Sequence, residues 1–252
     1  MGHDYTLDPN YPVDERVKTL MNIPQHEQRS DEWFEQRRTR LTSSDVDAVL
    51  GRNKYSSRES ILFKKCGLSE PFDGNVATRH GQKYEDEAIN LYCELKKKKS
   101  YSFGLLPHPT IKWLGGSPDD ITHDGIVIEV KCPLYRKIKY GSIPEQYVSQ
   151  VKMNMEIANL DKAVFIEYVP DCISNTGEYE LNIVELDRDP KWFDSVLPSL
   201  QSFWDEVEKY RSEGIDKHPN YEYYYELVKK KNVVNFGDNT ECMIQESSCD
   251  ES

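Results

Sequence analysis

The run Gly115-Gly116-Ser117-Pro118-Asp119-Asp120 is followed, nine positions after its last residue, by Glu129-Val130-Lys131. Ile126 to Lys131 alternates like a strand, with Ile128 and Val130 facing one way and Val127, Glu129 and Lys131 the other. Glu129 and Lys131 therefore project from the same face. His123-Asp124-Gly125 is a hairpin signal, and a return through it brings the Asp119 carboxylate beside Glu129. Two carboxylates and an amine then converge at one end of a sheet. Burying two acids there is unfavourable without a cation. Hard oxygen ligands suit Mg²⁺, with Mn²⁺ as a substitute, because these ions keep waters and open positions for phosphate. Lys131 can hold or help deprotonate a water and offset charge on a phosphorane-like transition state. A bare acid, acid-x-lysine pattern also fits a surface Glu–Lys pair on an edge strand. The flanking Gly-Gly-Ser-Pro and Cys-Pro, and the apolar alternation, favour the chemical reading.

These residues resemble the core motif of the PD-(D/E)XK nuclease superfamily. The stretch is most similar to its lambda-exonuclease and YqaJ-type viral recombinase branch, which carries Ser-Pro-Asp-Gly, then an acid, an apolar residue and Lys-Cys-Pro. Here the residues are Ser117-Pro118-Asp119-Asp120 and Glu129-Val130-Lys131-Cys132-Pro133. Asp120 replaces the family glycine and reads as a spare surface acid rather than a displaced ligand. Gly81-Gln82-Lys83-Tyr84-Glu85 resembles the helix that supplies a further acid, Glu85. Tyr147-Val148-Ser149-Gln150-Val151 matches a glutamine-bearing helix, with Gln150 on one strip with Tyr147 and Asn154. Arg37 and Leu41-Thr42-Ser43-Ser44-Asp45 resemble an element whose arginine and serine hold the 5′-phosphate of a DNA end. Ser43 and Ser44 open a helix whose free N–H groups suit an anion. Arg37 would add a charge-assisted contact. Plain helix capping explains Thr42 or Ser43 equally well.

The resemblance implies a restriction-endonuclease-like α/β core, a central mixed β-sheet flanked by helices, with a helical N-terminal lobe. It implies Mg²⁺-dependent digestion of the 5′ strand of linear duplex DNA from 5′-phosphorylated ends, in viral or phage recombination, replication or repair. Asp119, Glu129, the Val130 carbonyl and Glu85 would hold metal; Lys131 and Gln150 would position water; Arg37, Ser44 and Ser43 would bind the terminal phosphate. Implied partners are double-stranded DNA ends, a single-strand annealing protein and further copies of the chain, a trimer in lambda-type relatives. Two rival readings remain: an endonuclease or RNase of the same superfamily, and a non-catalytic DNA-binding module on a nuclease fold.

The elements that must position these groups can be read from capping and period. A short helix spans Asp14 to Met21. Ser30 caps a helix to about Arg40, and Thr42 with Asp45 has capping-box spacing and opens a helix with Val46, Val49 and Leu50 on its apolar side, stopped by Gly51. Helices follow at Ser57–Lys65 and, capped by Asn75, at Val76–Leu95 with an apolar row Ala77, Gly81, Tyr84, Ala88, Leu91 and Leu95. Strands are expected at Ser100–Leu106 and Thr110–Leu114, with Gly115-Gly116-Ser117-Pro118 breaking the chain. Pro144 suits the first turn of a helix to Asn159. Strands at Ala163–Val169 and Tyr179–Leu186 precede a helix at Pro190–Arg211, whose stripe is Trp192, Val196, Leu200, Phe203 and Val207. A last helix spans Tyr221–Lys231. A single nuclease domain is expected over residues 1–231, with the lobe about 13–70 and the catalytic core about 75–211. Residues 232–252 hold five acids and no Lys or Arg, which reads as an acidic disordered tail.

The chain has 252 residues and a formal net charge of −12. That argues against a general nucleic-acid-coating protein and requires local compensation, expected from Lys64, Lys65, Arg79, Lys83, Arg136, Lys137 and Lys139. Lys96 to Lys99 read as helix-end charges complementing the dipole, with DNA backbone contact as the alternative. The six cysteines include no C-x-x-C pair, so reduced thiols are expected rather than a zinc site. No apolar run approaches the ~20 residues of a membrane span. No leader pattern opens the sequence, so an intracellular, soluble protein is expected. Met1-Gly2-His3-Asp4-Tyr5-Thr6 fits a myristoylation pattern only formally.

Overall fold

The structure is a computed structural model that describes residues 5–69 and 74–237. Residues 1–4 of the formal myristoylation motif at 1–6, and the tail from 238 onward, lie outside the described residues. Helix caps fall where side-chain oxygens can accept from exposed N–H groups. Asp14 caps α1 (Glu15–Met21), Ser30 caps α2 (Asp31–Arg38), Ser57 caps α4 (Arg58–Lys65) and Asn75 caps α5 (Val76–Lys96). Between α2 and α4 lie the two-residue strand β1 (Leu41–Thr42), a 3₁₀ turn at Ser43–Asp45 and α3 (Val46–Val49).

The main sheet has five strands in the order β2 (Ser100–Tyr101), β5 (Asp120–Thr122), β6 (Ile126–Lys131), β7 (Lys162–Val169), β8 (Glu180–Asp187). Only β6 and β7 are parallel, joined by the crossover helix α6 (Glu145–Ala158). The hairpin between β5 and β6 turns at Gly125, whose φ of +83° suits glycine. A small second sheet orders β1, β4 (Leu114–Gly116) and β3 (Leu106–Pro107), with β1 parallel to β4. The chain closes with α7 (Pro190–Glu213) and α8 (Tyr221–Gly237). The mixed sheet flanked by helices is the fold expected. Helix α8 extends six residues past the expected end at 231.

Each face of the main sheet buries its own apolar cluster. Val127, Ala163 and Phe165 join α6 and α7 on one side. That cluster also takes in Val17, Leu41, Val46 and Leu62 from the N-terminal elements. Ile128, Val130, Val164 and Ile166 join Tyr84, Ala88 and Tyr92 of α5 on the other. The alternation read in β6 thus holds. In α5 the buried row is His80, Tyr84, Ala88 and Tyr92, stepping by four, and Leu95 of the expected row is exposed.

The stretch 100–116 departs from expectation. Ser100–Tyr101 pairs with β5 and Leu106–Pro107 with β4, so one expected strand is split between two sheets. Residues 110–113 are not strand. Gly115 and Gly116 do not break the chain; they are β4. Close packing explains the glycine: a Cβ on Gly116 would lie 2.5 Å from Asn154 Oδ1 and 2.9 Å from Ile157 Cδ1. The glycine pair lets α6 approach β4. Among the described residues no helix is long and apolar enough to cross a membrane, and Cys66, Cys93, Cys132 and Cys172 are free thiols.

Candidate active site

The site forms because β6 outruns β5. Their ladder pairs Asp120 with Ile128 and Ile121 with Val127, and Asp119 N adds a bond to Ile128 O at 3.2 Å. Beyond that no described strand pairs with the β5 side of β6, and the Val130 N–H donates instead to the Asp119 side chain, Oδ2, at 2.6 Å. Asp119 is thereby fixed beside the strand that carries Glu129 and Lys131.

Glu129 has no exposed surface. Lys131 Nζ donates to its Oε1, which also accepts from Gln150 Nε2 at 2.5 Å. Asn154 Nδ2 donates to Oε2 at 3.0 Å. Gln150 and Asn154 are four apart on α6, one turn of the same face, so a single helix holds both carboxylate oxygens. Glu85 enters from α5, and Arg29 Nη2 lies 3.5 Å from its Oε2. Arg29 has a φ of +70°, unusual for a non-glycine residue. Neighbouring Gln28 pins that turn through Nε2 to the carbonyls of Phe103 and Pro118 at 2.7 and 3.2 Å.

Electrostatics identify the set as one unit. Burial pushes Glu129 up to about 8, with Lys131 opposing and Asp119 adding to the rise. Burial and the charge of Asp119 push Glu85 up to about 7. Asp119 is also raised, by burial, against the pull of Lys131. Burial disfavours the Lys131 ammonium, but Glu129 and Asp119 more than offset it and hold it above the usual lysine range. Three acids facing two cations resist ionisation together.

Asp120 is not a surface acid. It is 8% exposed, takes a hydrogen bond from Ser100 Oγ at 2.6 Å, and is pushed by burial up to about 7. Its place in β5 turns it inward. Glu85, Asp119 and Asp120 all line a cleft of about 1260 Å³ that runs past Arg29, Cys93 and Lys97–Ser100.

The second group lies where α2 meets the 3₁₀ turn. Arg37 Nη2 donates to Ser44 Oγ at 2.8 Å and Thr42 Oγ1 at 3.3 Å. Its guanidinium stacks 4.5 Å over the Trp33 ring, and Trp33 Nε1 donates to Ser117 Oγ at 3.1 Å. Ser117 is two residues from Asp119, and Arg37 lies within electrostatic reach of Glu129, so the group adjoins the acids. Thr42 and Asp45 form the expected capping box. Ser43 does not join Arg37. It is buried, with its Oγ 3.1 Å from where a Cβ on Gly116 would stand.

The expected basic groove is only partly free. Lys65 is buried and paired with Asp45 at 2.7 Å. Arg136 is paired with the fully buried Glu167 and stacks 5.7 Å over Tyr147. Arg79 is exposed and caps the Gly74 carbonyl at 2.9 Å, and Lys64 stands 3.8 Å from Asp45. Lys83, Lys137 and Lys139 are exposed. Sequence reasoning assigned no role to Arg29, Asn154 or Glu167, and read Asp45 only as the capping-box partner of Thr42, not as the partner of Lys65. Among the first three only Asn154 carried a signal, its spacing of four from Gln150.

Comparison with known proteins gives one family. Residues 32–161 match the YqaJ-like viral recombinase domain. An uncharacterized protein of Acanthamoeba polyphaga mimivirus is 31% identical over 169 residues, 60% of this chain and 31% of that protein. A protein of African swine fever virus is 26% identical over 186 residues, 60% of this chain and 52% of that one. The chain thus spans about half or less of the length of these viral relatives. Among solved structures, the alkaline exonuclease LHK-Exo of Laribacter hongkongensis shares the fold at 23% identity, with a TM-score of 0.61 over 82% of this chain and 100% of that one. LHK-Exo in complex with dAMP gives a TM-score of 0.62 at 24% identity, over 73% and 95%.

Proposed function

The chain belongs to the YqaJ-like viral recombinase domain family, and on that premise we propose that it is a Mg²⁺-dependent exonuclease. It digests the 5′ strand of linear duplex DNA from 5′-phosphorylated ends, in viral or phage recombination, replication or repair. One observation carries the reading. A cluster of the buried Glu129 with the half-buried Asp119, Glu85 and Lys131 adjoins a cationic group at Arg37, through Trp33 and Ser117. An acid site beside an anion pocket is what end-directed phosphodiester hydrolysis requires.

The donor set fits a hard divalent cation. Asp119, Glu129 and Glu85 offer carboxylate oxygens whose ionisation is held back by burial and each other, and a cation relieves that penalty. Among the described residues no three His, Cys, Asp or Glu side chains stand close enough to cage an ion unaided. Mg²⁺ retains waters in such sites, and the Val130 carbonyl would be a further donor. When bound, it supplies Lewis-acid activation of water and charge neutralisation at the phosphate. Gln150 and Asn154 hold the Glu129 carboxylate from two sides. Lys131 donates to the same carboxylate and would orient a water or stabilise charge on the phosphoryl oxygens. Arg37 and Ser44 present donors to a terminal phosphate.

DNA reaches this acidic chain through the exposed Arg79, Lys83, Lys137 and Lys139, and a single-strand annealing protein would take the released strand. The test is digestion of linear duplex with 5′-phosphate ends, of the same duplex with 5′-hydroxyl ends, and of closed circular duplex, with and without Mg²⁺. Mononucleotide release from phosphorylated linear ends, dependent on Mg²⁺, is expected. Equal cutting of circles would instead support an endonuclease of the same superfamily.

A further inference from the structure

We infer that Lys65 is a positioning residue that gives the Arg37–Ser44 pocket its selectivity for a terminal phosphate. The inference rests on the exonuclease reading above and names what tunes that pocket. Lys65 sits at the C-terminal end of α4 with a side chain only 1% exposed. Its Nζ donates to the Arg37 carbonyl at 2.8 Å and lies 2.7 Å from Asp45 Oδ2. One ammonium therefore ties the last turn of α2 to the floor of the 3₁₀ turn. Both pieces of the pocket hang from it.

The contacts run outward from that tie. Asp45 Oδ2 accepts from Thr42 Oγ1 at 2.6 Å and from Thr42 N at 3.4 Å. Thr42 Oγ1 touches Ser44 Oγ at 3.2 Å and accepts from Arg37 Nη2 at 3.3 Å. Arg37 is thus held at its backbone by Lys65 and at its tip by Thr42 and Ser44. From the far side, Arg211 of α7 donates to the carbonyls of Arg38 and Lys65, at 2.6 and 2.8 Å. This clamp fixes the ends of α2 and α4 against each other.

Charge makes Lys65 more than a brace. Asp45 is buried directly behind the hydroxyls that would face a phosphate. Unpaired, its carboxylate would repel a dianion. Paired with Lys65, it orients Thr42 without presenting net negative charge. A buried charge left alone is far more disruptive than a neutral pair of the same shape. Removing Lys65 alone should therefore damage phosphate recognition more than removing Lys65 and the Asp45 charge together.

The experiment measures kcat/KM on linear duplexes with 5′-phosphate and 5′-hydroxyl ends, for the wild type, Lys65→Met and Asp45→Asn/Lys65→Met. The ratio of the two values is the readout, because the folded fraction cancels from it. The wild type should prefer phosphorylated ends. Lys65→Met should lower that ratio by about tenfold or more, the effect of losing hydrogen bonds from a charged group. The double variant should fall between the two. Should Lys65→Met fail to fold, the double variant, which leaves no buried charge unpaired, carries the test alone and must still show a lower ratio than the wild type. An unchanged ratio in the variants overturns the role of Lys65 while leaving the pocket standing. A wild-type ratio of one overturns the pocket itself.

Discussion

Glu129 and Asp45 are both buried carboxylates, and they end up at opposite extremes. Burial alone would raise the pKa of each. At the end of β6, burial pushes Glu129 up to about 8; Lys131 opposes the rise, and Asp119 and Glu85 add to it. In the N-terminal turn, burial raises Asp45 too, but Lys65, Lys64 and Arg37 more than offset it, and it is held well below the usual carboxylate range. Neighbours, not depth, decide the sign. The first region has more acid than its own cations balance, and on the proposed reading it takes a metal cation. The second has cation to spare, and on the same reading it takes an anion. A phosphodiesterase acting at a phosphorylated end needs both, side by side.

The comparison can be broken most severely from the acid side. Glu129→Gln keeps the shape and removes the charge that Lys131, Gln150 and Asn154 all address. Nuclease turnover should fall by roughly a thousandfold or more on every kind of end, the scale of several kcal/mol of transition-state stabilisation. A steady-state assay on phosphorylated linear duplex reads this directly, and retention of near-wild-type turnover would sink the assignment.

Arg37→Ala strikes the cationic side and should be selective. Loss of a charge-assisted contact should slow cleavage of 5′-phosphorylated ends by about ten- to a hundredfold. Some cleavage at 5′-hydroxyl ends should survive, so the two rates converge. Equal loss on both ends would show that Arg37 serves structure rather than the terminal phosphate.

The smallest effect sharpens the contrast through pH. Glu129 and Glu85 hold protons more tightly folded than unfolded, so the stability they confer is full below their unfolded pKa near 4.5 and is lost as pH rises through about 7 and about 8. Asp45 has the opposite sign. Its contribution is full above an unfolded value near 3.8 and is lost as pH falls through its depressed folded value. Without metal, the melting temperature should decline by several degrees between pH 5 and pH 8.5, and Glu129→Gln should flatten that decline. Thermal melts in a pH series, with EDTA present, check this. A wild-type melting temperature that rises across the same range would contradict the shared strain of the acids.

Much of this was legible in the sequence because it is local. Ser30 and Asn75 cap helices as their side chains dictate, and the alternation of β6 put Glu129 and Lys131 on one face. Gln150 was legible too, and it reaches Glu129 as its place on α6 allows. What was illegible depends on distant partners. Two-residue strands such as β2 and β3 exist only because β5 and β4 pair with them. Gly115 and Gly116 read as a break, yet they are strand residues whose missing side chains admit α6. Asp120 read as a surface acid because nothing local signals its burial in β5. Lys65 and Arg136 read as groove cations, and only the fold reveals the buried acids, Asp45 and Glu167, that claim them.

The acid cluster as a cation site is the claim on which the rest stands, and isothermal titration of the full chain with Mg²⁺ at pH 7 addresses it most directly. Run in buffers of different ionisation enthalpy, the titration should show saturable binding accompanied by proton release, because acids held protonated by burial must give up protons to bind an ion. Glu129→Gln should abolish or greatly weaken that signal. No saturable heat from the wild type up to millimolar Mg²⁺, or the same binding and proton release in Glu129→Gln, would contradict the account.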